Sequence, residues 1–125
     1  DALLHAIADA FLGALALGDI GHLFPPSDKT IEGIDSKIIL KRCYDLVKEK
    51  GYHLINLDAN VVTEAPKLKP YIIPIRESLA KLLDVDISCV SVKAKTNEGC
   101  DAVGEKKAIR TNAVVLIEKG DEYGQ

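Results

Sequence analysis

The sequence predicts a small α+β domain, a single two-layer sandwich in which a small mixed sheet carries helices on one face. Three observations lead there. Some stretches repeat apolar residues at helical spacing, and others alternate apolar and polar residues with a period of two. These stretches follow one another as helix, helix, strand, helix, strand, strand. The chain has 125 residues, room for one core but not two, so residues 1–125 are expected to form one domain. Three strands make a narrow sheet, which fits strands lost ahead of residue 1 or completion of the sheet by a neighbouring subunit.

The opening stretch, DALLHAIADAFLGALALGDIG, is a greasy helix to about Leu17, with Gly18 as its expected left-handed C′ residue. It begins at residue 1 with no cap ahead of it, from which upstream residues are expected to be missing. A loop rich in Pro, Gly, Ser and Asp follows. Asp35 or Ser36 then caps a second helix with Ile38, Ile39, Cys43, Leu46 and Val47 on its apolar side and Gly51 at its end.

Tyr52 to Thr63 reads as a strand, Ile55, Leu57, Ala59 and Val61 facing one way and Asn56, Asp58 and Asn60 the other. The Pro-bounded loop EAPKLKP leads to a third helix reaching Leu83, with Ile72, Ile75, Leu79, Leu82 and Leu83 buried and Pro74 tolerable only in the first turn. Val90 to Lys95 is the second strand and Thr111 to Glu118 the third, joined by the polar run KTNEGCDAVGEKKA. Residues 119–125 read as a frayed tail.

Composition narrows the function classes. The chain is 47% hydrophobic and 28% charged with a net charge of −3, so no basic footprint for nucleic acid or an anionic membrane is expected. Its longest apolar run, Ala10 to Leu17, falls short of the roughly 20 residues of a spanning helix. Cys43, Cys89 and Cys100 form no C-x-x-C pair, which argues against a disulfide framework or a cysteine-rich zinc site and for a reducing compartment.

Four constellations carry chemistry. Asp1, His5 and Asp9 recur at steps of four, placing carboxylate, imidazole and carboxylate on one stripe of the first helix. His5 is either a core histidine satisfied by a carboxylate or a metal ligand whose other ring nitrogen a carboxylate such as Asp9 holds. One histidine does not make a zinc site. In Gly18-Asp19-Ile20-Gly21, the carboxylate is suited to a sugar diol and the glycine to close approach of a ligand, or the segment is an ordinary turn. The loop Glu64-Ala65-Pro66-Lys67-Leu68 can offer main-chain groups to a base edge. Lys95-Thr96-Asn97-Glu98 at a strand end sets phosphate donors beside a carboxylate suited to a hard cation, or is simply a solvated loop.

Read in order, HAIADAFLGALALGDIGHLFP, EAPKL and VKAKTNE resemble the 2-C-methyl-D-erythritol 2,4-cyclodiphosphate synthases of the non-mevalonate isoprenoid route, from Asp1 to about Lys119. The resemblance implies a phosphorus–oxygen lyase that assembles as a homotrimer with active sites between subunits. Its substrate is a cytidine-diphosphate ester of methylerythritol 2-phosphate, which cyclises with release of CMP. Zinc at the diphosphate and magnesium or manganese on the phosphates are the implied cofactors. On that match His5 is a zinc ligand and Asp9 a partner of its ring. Asp19, Ile20 and Gly21 bind a substrate sugar, and Phe24, Pro25 and Asp28 line the methylerythritol pocket. Thr63, Ala65, Pro66, Lys67 and Leu68 hold cytosine. Lys95 and Thr96 act on the phosphates, Thr96 as transition-state stabiliser, with Glu98 at the substrate and second metal.

Two departures accompany the match. The family's Asp-x-His pair, which supplies the other zinc ligands, and its His-Ser segment are absent, so an N-terminal metal-ligand segment is expected to be missing and these residues alone to be inactive or nearly so. Ala102 and Glu105 stand where bacterial members often carry an aromatic residue and an arginine, and D-A-V-G-E is similar to the plastid type. That favours a plastid location, with bacterial cytoplasm as the alternative. The competing function is a non-catalytic trimeric small-molecule-binding domain or an inactive homologue.

Overall fold

Leu4, Ile7, Ala8, Phe11 and Leu12 recur at helical spacing, and their burial along one face defines α1, Ala2–Ala14. The computed structural model describes residues 2–23, 35–63, 68–95 and 109–120. The helix stops one turn earlier than expected. Ala16, not Gly18, is the left-handed C′ residue at φ 57°. Leu17 N–H reaches Leu12 O at 2.9 Å and Ala16 N–H reaches Gly13 O at 3.0 Å, the paired bonds of a Schellman motif. Leu17 then packs against the core, which offsets the strain of an alanine at positive φ. Gly18, at φ 91°, takes the next turn toward α2, Ile20–Leu23.

Asp35 caps α3, Ser36–Glu49, by accepting from Lys37 N–H at 2.8 Å, and Gly51 leaves the helix at φ 86°. Its buried face is Ile39, Leu40, Cys43, Tyr44 and Val47. Ile38, expected inside, is 49% exposed, because Leu40 takes the inward position on this helix. α4, Ile72–Leu83, follows a short 3-10 turn at Lys69–Tyr71, and Pro74 falls in its first turn as required. Arg76 on α4 donates to Val90 O at 2.6 Å and Ile87 O at 3.2 Å, pinning the start of the neighbouring strand.

The strands are β1, Tyr52–Val62, β2, Val90–Lys95, and β3, Arg110–Lys119. They form one three-stranded mixed sheet in the order β2-β1-β3. β1 and β2 run parallel, from Leu57 opposite Val90 to Val62 opposite Lys95. β1 and β3 run antiparallel, from Tyr52 opposite Lys119 to Val62 opposite Arg110. A register shift between Leu54 and Asn56 makes Ile55 the extra residue of a bulge. The bulge reverses the expected facing: Leu54 is buried, whereas Ile55 is only half-buried.

The core lies between the helices and the inner sheet face, built from Ile7, Phe11, Leu12, Leu40, Val47, Leu57, Leu83 and Val90. Ala113, Val115 and Ile117 of β3 pack against it, while Val114 and Leu116 on the outer face are 71% and 54% exposed. On that face Lys93 donates to Asp58 at 2.9 Å, and this bond, with one from Ser91, holds the Asp58 carboxyl below its ordinary range. Among the described residues no helix is long and apolar enough to cross a membrane.

Candidate functional site

Parallel pairing makes β1 and β2 end together, so Thr63 and Lys95 emerge at one end of the sheet, joined by Thr63 N–H to Lys95 O at 3.0 Å. The antiparallel β3 begins at that end, with Arg110 opposite Val62 and Thr111 opposite Val61. Thr111 Oγ1 donates to Ala2 O at 3.2 Å, which seats the start of α1 there as well. The first turn of α1, carrying His5, therefore stands over the end of the sheet marked by Thr63 and Lys95.

His5 is exposed, which removes the core-histidine reading. Its Nε2 lies 3.1 Å from Ser36 Oγ at the start of α3, a contact that fixes the ring and leaves Nδ1 for another partner. Sequence reasoning missed Ser36 in this role, since only its position beside a helix cap was visible. Asp9 lies one turn along from His5 on the same face, about 5–6 Å away between Cβ atoms. Its carboxylate, expected to hold the ring, has a backbone partner: Oδ1 accepts Ile20 N–H at 2.7 Å. That bond folds the Asp19–Gly21 segment back along α1.

Asp19 and Gly21 are exposed, and Ile20 packs against the core. Gly21 has no left-handed backbone to justify a glycine. A Cβ there would meet Asp19 Oδ1 at 3.4 Å, which is tolerable. Neither its backbone conformation nor packing within the described residues therefore requires a glycine here. Thr63, 5% exposed, is the buried polar residue among those described, and Leu68 is half-buried ahead of the 3-10 turn. Lys95 is exposed. Phe24, Pro25, Asp28, Ala65, Pro66, Lys67, Thr96 and Glu98 lie outside the described residues, as does Asp1.

The ionic setting of Asp9 is felt below α1. Burial chiefly, and the Asp9 charge in addition, push the Cys43 thiol up to about 11, so Cys43 is an inert core residue rather than a nucleophile. Among the described residues no three His, Cys, Asp or Glu side chains converge on a metal position. His5 offers one imidazole, and the described residues do not close a zinc site. A cleft of about 520 Å³ lined by His53, Leu54, Asp84, Asp86 and Cys89 sits at the other end of the sheet, where β1 and β2 begin.

Comparison with known proteins agrees with this geometry. The model of the YgbB family matches residues 1–118. A 2-C-methyl-D-erythritol 2,4-cyclodiphosphate synthase of Carboxydothermus hydrogenoformans is 51% identical over 124 residues, covering 99% of this chain and 76% of the relative. The synthase of Leptospira borgpetersenii serovar Hardjo-bovis is 50% identical over 119 residues, covering 95% of this chain and 74% of the relative. The bifunctional IspDF structure from Campylobacter jejuni superposes with a TM-score of 0.92 at 38% identity, covering 97% of this chain and 33% of that one. The IspF CDP complex from Plasmodium falciparum gives 0.85 at 36% identity, covering 97% and 72%. A family model spanning nearly the whole chain, and relatives sharing half its residues, place it: this chain belongs to the YgbB family.

Proposed function

We propose that the chain carries the active-site scaffold of a 2-C-methyl-D-erythritol 2,4-cyclodiphosphate synthase, the activity named for its half-identical relatives. The observation that supports this best is the convergence of helix, turn and strand ends. His5, the Asp19–Gly21 turn, Thr63 and Lys95 come from separate stretches and meet around one end of the sheet. No comparable support exists for a non-catalytic binding domain.

In the proposed reaction an oxygen of the 2-phosphate attacks the β-phosphorus of the cytidine diphosphate. A new P–O bond closes the cyclic diphosphate, the bond from β-phosphorus to the bridging oxygen breaks, and CMP leaves with that oxygen. No water is consumed and no general base is needed, because the nucleophile is already an anion. The barrier is charge repulsion and alignment, which positioned donors lower. Asp19 accepts from a sugar hydroxyl, Gly21 lets the sugar reach the backbone, and Lys95 and Thr96 donate to the phosphates. Thr63 anchors the loop of Ala65, Pro66, Lys67 and Leu68 that takes the cytosine, and Phe24, Pro25 and Asp28 line the methylerythritol pocket.

Zinc, with His5 as one ligand, and magnesium or manganese beside Glu98 belong to the same proposal. Among the described residues only the His5 imidazole is available to zinc, and the ions when bound would neutralise phosphate charge. A homotrimer with sites at its junctions is also proposed. The outer sheet face supports it: Val114 and Leu116 are exposed there, and Asp58 Oδ1 and Asn60 Oδ1 are shielded from solvent without a hydrogen-bond partner among the described residues. The D-A-V-G-E run supports a plastid location.

Incubation of the full-length protein with the cytidine-diphosphate substrate should release CMP. His5→Ala should remove bound zinc and lower the rate by at least about a hundredfold, the usual order for losing a metal-centred electrostatic contribution. Unchanged zinc content and rate would overturn the ligand assignment.

A further inference from the structure

We infer that Asp9 is a positioning residue for this site: it clamps the sugar-binding turn to the helix that bears the metal-binding histidine. The inference rests on the cyclodiphosphate synthase reading. Its basis is the bond from Ile20 N–H to Asp9 Oδ1, 2.7 Å long and spanning 11 residues of sequence. A carboxylate accepting a backbone N–H makes a charge-assisted bond of about twice the usual strength.

The location of the bond gives it its consequence. Ile20 is the first residue of α2, a single turn of four residues, and its amide is one that no helical carbonyl can satisfy. Asp19 and Gly21, the two residues directed at the sugar, flank that amide on either side. The internal bond of this turn, Leu23 N–H to Asp19 O, is long at 3.3 Å, beyond the usual N–H···O range. The Ile20 side chain packs into the core and the Ile20 amide is held by Asp9, which fixes the segment at two points. Asp9 is itself on α1, one turn from His5, so imidazole and sugar-binding carboxylate share one rigid frame. The 2-phosphate and the β-phosphate must be brought in line for attack, and a frame of this kind sets their separation.

Asp9 is exposed, so its replacement leaves the core intact. In the purified full-length protein, Asp9→Ala is expected to raise KM for the cytidine-diphosphate substrate by about tenfold, the order for one charge-assisted bond, and to change kcat less. Asp9→Asn, which keeps an acceptor oxygen, should recover KM to within about threefold. Amide hydrogen exchange followed by NMR should show the Ile20 N–H losing protection in Asp9→Ala and keeping most of it in Asp9→Asn, with zinc content unchanged in both. An Ile20 amide equally protected in Asp9→Ala, or an unchanged KM, would overturn the inference, and zinc loss in Asp9→Ala would assign Asp9 to the His5 ring instead. Failure of the wild type to turn over this substrate would refute the synthase reading separately, since the amide exchange is read without substrate.

Discussion

Tyr44 stands where α1, α3 and β1 meet, and replacing it by phenylalanine isolates one hydrogen bond. Its ring stacks on Phe11 with centroids 5.1 Å apart and planes at 26°. Lys48 Nζ lies 5.0 Å from the ring centroid. Its hydroxyl accepts the Leu54 N–H at 3.2 Å, one residue ahead of the bulge at Ile55. Tyr44→Phe keeps the ring, the stacking and the overlying lysine, and deletes only the acceptor. Tyr44 and Leu54 are 4% and 5% exposed, so water has no ready route to the orphaned donor. An unsatisfied buried donor costs about 1–3 kcal/mol. A bond of 3.2 Å is at the long end of the N–H···O range, so the loss should be about 1–2 kcal/mol. For a domain of this length that lowers Tm by about 3–10 °C. Urea denaturation at fixed protein concentration should show the midpoint falling with an unchanged slope. A loss below about 0.5 kcal/mol would refute the reasoning, because it would mean that Leu54 N–H finds another acceptor without cost.

Three further substitutions probe the same fold and site. Ala16→Gly relieves a left-handed alanine at φ 57° and should stabilise the protein by about 0.5–1 kcal/mol in the same urea titration, part of the relief being offset by unfolded-chain entropy. Gly21→Ala should fold with unchanged stability, since the new Cβ meets Asp19 Oδ1 at a tolerable 3.4 Å, yet raise the substrate KM severalfold; an unchanged KM would mean that no ligand approaches there. Burial raises the Cys43 thiol from 9.0 to about 11, so its contribution to stability is intact below the unfolded value near pH 9.0 and is lost as pH rises toward about 11. Urea midpoints measured across that window should fall more steeply for the wild type than for Cys43→Ala.

Periodicity is a local property, and what it encodes locally proved readable. The alternation Val90, Val92, Ala94 marks β2 over the residues it occupies, and the helical spacing of Ile39, Cys43 and Val47 marks the buried face of α3. The bulge at Ile55 was hidden because Leu54 and Ile55 are equally apolar, so nothing in the composition shows which of them turns inward. The stop at Ala16 was hidden because it depends on Leu17 finding the core, a tertiary contact. The site divides in the same way. Residue types at His5, Asp19, Gly21 and Lys95 suggest a chemistry, but the partners around them were not visible in the sequence. Ser36 reaches His5 across 31 residues and Ile20 reaches Asp9 across 11, distances over which spacing carries no signal.

The central claim is that this scaffold closes a ring rather than hydrolysing a diphosphate, and phosphorus NMR in water labelled with heavy oxygen separates the two most directly. With the full-length protein and the cytidine-diphosphate ester of methylerythritol 2-phosphate as substrate, CMP and a cyclic diphosphate should appear in equal amounts, with no label in either. Labelled phosphate groups, an open-chain bisphosphate in place of the ring, or no CMP at all would contradict the account.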